Sequence, residues 1–102
     1  MKLLDIEQAE PIRKKFLPSW EIRKGRYLYK KIEFDDYSSV LKFLTDIEEP
    51  QIKLDQFADI KFFYNEVIIV IYTHDLNGLS QSDFELALYV EDALERFGAR
   101  QL

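Results

Sequence analysis

The chain has 102 residues, 47% of them hydrophobic, with no cysteine and a net charge of −5. This fits one compact domain over residues 1–102 with an ordinary core, and it excludes a disulfide framework and a thiolate metal site. One histidine and scattered carboxylates offer no metal-ligand spacing, so neither a metal nor a cofactor is expected. No segment approaches the roughly 20 apolar residues of a membrane span, and the first residues lack a signal-type apolar run, so the expected location is the cytoplasm, away from membranes. Residues 1–31 hold nine Lys or Arg against four acids, while residues 32–102 hold five against fifteen. Eight of the nine, Arg13, Lys14, Lys15, Arg23, Lys24, Arg26, Lys30 and Lys31, read as a solvated positive surface spread over a helix and a hairpin. They form no continuous stripe, which argues against a nucleic-acid partner.

Met1 to Leu17 predicts a short helix, with Pro11 tolerable only near a first turn and Pro18 closing it. Two strands follow at Trp20–Arg23 and Arg26–Phe34, joined by a turn at Lys24 and Gly25. A second helix is marked by Tyr37, Val40, Leu41, Leu44 and Ile47, with Asp35 or Asp36 as N-cap and Pro50 stopping it near Glu49. Residues 51–58 read as an irregular approach to a third strand, Ile60–Tyr64, which turns at Asn65 and Glu66 into a fourth, Val67–Thr73. The last helix opens at Ser80, where Asp83 completes an acidic capping box, and its apolar face runs to Phe97 and a C′ glycine, Gly98. The order α-β-β-α-β-β-α predicts an α+β fold: two layers, a four-stranded antiparallel sheet with helices on one face.

Val67 to Ile71 is apolar without alternation, as though both faces of the strand were covered. Helices protect only one side of such a sheet, so a homo-oligomer, dimer or tetramer, is the expected cover for the other.

The stretch Tyr64-Asn65, an apolar strand, Thr73-His74-Asp75, then Gly78-Leu79-Ser80 and Asp83 resembles the core of the pterin-4a-carbinolamine dehydratases, and the resemblance reaches back to Trp20. It implies a pterin ligand facing His74 and Asp83, and a site completed by a paired His-His-Pro eight residues before Tyr-Asn. Counting forward from Trp20 through Phe34 and Phe43, or backward from Tyr64, places that motif on Gln56, Phe57 and Ala58. Dehydration needs groups that exchange protons near neutral pH, for which histidine is suited. Gln56 hydrogen-bonds but takes no proton, and Phe57 only packs. His74 at a strand end and Asp83 behind Ser80 also have purely structural readings, as strand cap and helix cap; Thr73, Asp75 and Gly78 read as turn builders.

Two functions follow from the resemblance. One is a dehydratase-like protein without catalysis that binds other proteins, as the family's Rubisco assembly factors do, with a client such as the Rubisco large subunit. The other is a divergent 4a-hydroxytetrahydrobiopterin dehydratase that still binds pterin.

Overall fold

The computed structural model describes residues 1–102. Helix α1 (Ile6–Phe16) is opened by a capping box in which Asp5 and Gln8 exchange side-chain bonds with each other's backbone. It runs on through Pro11, which lies mid-helix and not in the first turn as its chemistry suggested. Strands β1 (Glu21–Arg23) and β2 (Tyr27–Glu33) form a hairpin whose turn residues, Lys24 and Gly25, both have positive φ (54° and 67°). That is the primed turn whose twist matches the strands.

Helix α2 (Tyr37–Asp46) takes Asp36 as N-cap, its carboxylate accepting from the Ser39 amide at 2.8 Å, a bond that holds the Asp36 carboxyl below its ordinary value. The expected irregular segment after it is a helix: α3 (Glu48–Leu54) follows at once, with Ile47 shared as cap. Pro50 falls in its first turn, where an amide has no intrahelical partner to lose, and Glu48 and Glu49 favour a helix N-terminus. Pro50 thus starts a helix where it was expected only to end one. Strands β3 (Asp59–Phe63) and β4 (Glu66–Ile71) follow, then a 3-10 turn at His74–Leu76. Between β3 and β4 the left-handed residue is Tyr64, φ 54°, so the turn sits one residue earlier than expected.

Helix α4 (Gln81–Arg96) carries the expected Ser80/Asp83 capping box. It ends with Ala99 N–H to Leu94 C=O (2.9 Å) and Gly98 N–H to Glu95 C=O (3.2 Å) around Gly98 at φ 73°, the paired closure that a C′ glycine permits. Strand β5 (Arg100–Gln101), which the sequence reading lacks, pairs with the end of β2.

The sheet is antiparallel in the order β1-β2-β4-β3, with β5 added along β2 beyond β1. Leu28, Ile32, Val67, Ile69 and Ile71 are buried beneath the helices with Phe34, Phe43, Leu86 and Val90. β4 therefore alternates in burial although its sequence does not: Ile68 and Val70 face away from the helices and are half-covered by the neighbouring strands. The more exposed apolar surface lies on β3 and its turn, where Phe63 and Tyr64 are 79% and 63% exposed. Tyr64 is thus left to the surface, whereas Trp20 is buried in the core.

Two of the basic residues read as solvated are not. Lys30 lies on the helix-side face of β2 at 5% exposure, its Nζ 2.6 Å from Glu91 Oε1 and 2.8 Å from Ser19 Oγ, while Trp20 Nε1 donates to the same Glu91 oxygen at 2.8 Å. Arg13 is held by Glu10 and donates to the Trp20 carbonyl at 2.9 Å. Removing Glu91 strands a buried ammonium and an indole N–H. Glu91→Ala is expected to cost about 3 kcal/mol, read as a lower urea midpoint. Adding Lys30→Met should recover most of that loss, because the uncompensated charge goes with it; a double variant no more stable than Glu91→Ala would refute the charge argument.

Candidate functional site

Gln56 follows α3 directly. Asp55 adopts a left-handed conformation (φ 51°), and the Gln56 amide bonds back to the Gln51 carbonyl at 3.0 Å, which turns the chain inward. The Gln56 side chain is buried, and its Nε2 donates to the Tyr72 carbonyl (3.2 Å), to Thr73 Oγ1 (3.3 Å) and to Asp83 Oδ1. The other Asp83 oxygen accepts from the Ser80 amide (2.8 Å), Thr73 Oγ1 (2.8 Å) and Ser80 Oγ (3.3 Å). The strand end, the start of α4 and the segment after α3 are thus pinned to one carboxylate.

Asp83 has no solvent exposure. Burial pushes its carboxyl above the ordinary value, against the downward pull of the bonds from Ser80, Thr73 and Gln56. Gln56 and Thr73 lie between it and the cavity above. Any influence on a bound molecule passes through Gln56 or Thr73.

A cavity of about 240 Å³ opens above this network, lined by Asp55, Gln56, Phe57, Thr73, His74 and Asp75 together with Met1 and Tyr72. Five of the seven candidate residues line it. Asp83 lies beneath, and Ala58 is outside, its amide donating to Gln51 Oε1 at 2.9 Å. Phe57 is half-exposed and presents a ring where a proton carrier was expected. His74 is 52% exposed; its Nε2 lies 3.2 Å from Asp59 Oδ2, and its ring meets the Tyr72 ring edge-on at 4.2 Å.

Sequence reasoning did not find Asp59 or Tyr72. Asp59 opens β3 and is far from His74 in the chain; only the pairing of β3 with β4 brings the two together. Tyr72 contributes a main-chain carbonyl, which leaves no trace in residue type.

Residues 2–93 match the family model described as pterin 4 alpha carbinolamine dehydratase. The chain belongs to the pterin-4a-carbinolamine dehydratase family. A relative from Saccharolobus islandicus, named for pterin-4-alpha-carbinolamine dehydratase, is 32% identical over 71 residues, 70% of this chain and 72% of its own. Another from Prochlorococcus marinus with the same name is 32% identical over 90 residues, covering 88% and 92%. Among solved structures, the transcriptional coactivator/pterin dehydratase from Brucella melitensis superposes with a TM-score of 0.83 at 22% identity, covering 90% of this chain and 98% of that one. A pterin dehydratase-like protein described as a RuBisCO assembly factor in the alpha-carboxysome gives 0.61 at 22% identity, covering 74% and 88%. These two likenesses concern the fold.

Proposed function

We propose that this family member has given up dehydration and acts by binding protein, as an assembly factor with a client such as the Rubisco large subunit. The observation that carries the reading is Gln56. It occupies the first position of the family's histidine pair, and its amide is committed to a carbonyl, a hydroxyl and the buried carboxylate. An amide there holds the pocket floor together but moves no proton. Phe57 supplies none at the second position, and His74 turns to Asp59. The cavity, about 240 Å³, is also smaller than the 300 Å³ or more usual for ligand sites.

Each missing acid or base is worth about 10²- to 10⁴-fold, so negligible acceleration of 4a-hydroxytetrahydropterin dehydration is expected in a stopped-flow assay with synthetic carbinolamine. Turnover comparable to an ordinary dehydratase would sink this reading. It would favour the divergent dehydratase, which the names of the relatives and the grouping of Thr73, His74 and Asp75 around one cavity support. The Rubisco client, which rests on the name of one structural neighbour, is tested by co-expressing Rubisco subunits with and without this chain. A raised yield of assembled holoenzyme is expected, and an unchanged yield would remove Rubisco as the client.

Self-association belongs to the same reading. Strand β3 is a sheet edge with one row of backbone groups unpaired, beside exposed Phe57, Phe62, Phe63 and Tyr64. Covering a few hundred Å² of such surface, at about 25 cal/mol per Å², favours a dimer at micromolar concentration. Sedimentation across a dilution series should show the 12.2 kDa monomer giving way to a larger species, and Phe63→Lys should return it to monomer. A wild-type monomer at high micromolar concentration would leave that edge for a different protein.

A further inference from the structure

On the sheet face turned away from the helices lies a second cleft, of about 340 Å³, between the β1–β2 hairpin and the residues that follow β4. Tyr29 lines it near the middle of β2; Tyr27 and Tyr72 lie towards the hairpin end, their rings 5.9 Å apart and tilted by 47°. Arg23 lies with its guanidinium carbon 3.3 Å from the Tyr29 ring centroid, and one of its nitrogens donates to Glu21 at 3.1 Å. Arg26 makes no ion pair within the chain. The one carboxylate on the cleft, Asp59, is on the opposite rim and faces His74.

We propose that this cleft binds a small aromatic acid, a single ring bearing one phosphate or carboxylate. The tyrosine rings offer a ring tilted or offset partners at van der Waals distance. The Arg23 guanidinium is already flattened on Tyr29, which orients its remaining donors before the ligand arrives, and Arg26 supplies a second fork for an oxyanion. Asp59 on the far rim rejects a second negative group, so the acid must sit at the hairpin end. The volume, about 340 Å³, accommodates one ring with its acid group. The cleft shares Tyr72 with the cavity over Gln56 and meets it again where Asp59 contacts His74, but its tyrosines and arginines at the hairpin end take no part in that cavity, so the assignment does not rest on the proposed function.

The test is an NMR titration of the full ¹⁵N-labelled chain with phenyl phosphate, inorganic phosphate, phenol and a blocked phosphotyrosine tripeptide. Phenyl phosphate is expected to shift the Arg26, Tyr27 and Tyr72 amides saturably, with a Kd of about 1 mM. Phosphate and phenol alone should each bind at least about 10-fold more weakly, since each offers half of the recognition. Arg26→Ala, an exposed turn residue, should weaken phenyl phosphate about 10-fold, and Tyr27→Leu should weaken it while leaving phosphate unchanged. Absence of saturable shifts, equal binding of inorganic phosphate, or full affinity in Arg26→Ala would each overturn the assignment. Tighter binding of the tripeptide would transfer the cleft to a protein segment and overturn it as a small-molecule site.

Discussion

Replacing Asp83 by Ala is expected to lower the unfolding free energy by about 2–4 kcal/mol, the largest stability effect among the site residues. Its two oxygens accept from the Gln56 amide, the Thr73 and Ser80 hydroxyls and the Ser80 backbone N–H. Alanine leaves these donors facing a small void, and three of them, the Gln56 amide, the Ser80 hydroxyl and the Ser80 N–H, belong to buried residues. It also removes the N3 carboxylate from the start of α4.

The pH dependence has a definite sign. Burial raises the Asp83 carboxyl above its unfolded value, so the folded chain binds this proton more tightly than the unfolded chain does. The associated stability is fully present below the unfolded carboxyl value, about 3.9, and is lost as pH rises through the folded one. The stability difference between wild type and Asp83→Ala should therefore be widest in acid and narrow towards neutral pH. Urea unfolding from pH 3.5 to 7.5 measures it. A difference that widens with pH would mean that the hydrogen bonds outweigh burial.

Asp83 also marks what the sequence discloses and what it withholds. The Ser80–Asp83 spacing announced the cap, and the cap formed; the burial of that carboxylate was invisible, because it depends on Gln56 arriving from another part of the chain. Strands β1 to β4 and helices α1, α2 and α4 were legible from apolar period and turn chemistry, local signals that tertiary packing reinforced. Helix α3 was hidden by reading Pro50 as a terminator, when the acidic pair before it marks a helix start equally well. The unbroken apolar run of β4 suggested two covered faces. Three of its side chains enter the core, while Ile68 and Val70 are half-covered by neighbouring strands, and the barest aromatics lie instead on β3. Strand β5 had no signature at all, since two exposed residues, Arg100 and Gln101, pair with β2 by position alone. Within the site, the resemblance named Gln56, Phe57, Thr73, His74 and Asp75 together, and they line one cavity, whereas the Asp59–His74 contact required the fold.

The double change Gln56→His and Phe57→His is expected to raise dehydration at least about 10²-fold above the wild-type protein, the contribution of one positioned proton carrier. An imidazole at position 56 would stand on Asp83, which is placed to accept its far N–H and so fix its tautomer and orientation. Position 57 is half-exposed on the cavity, so a second imidazole there costs little to hydrate and faces the same space as His74. Pro50 does not stand in the way as a helix breaker would, because α3 runs on through Leu54 and delivers residue 56 to the floor of the cavity. The stopped-flow assay is then run on the double variant and on the same variant carrying His74→Ala. Loss of the gained rate on removing His74 would show that all three imidazoles work on one substrate. A folded double variant that stays inert would show that the cavity, at about 240 Å³, no longer admits the pterin. In that case the scaffold's remaining chemistry is confined to recognition.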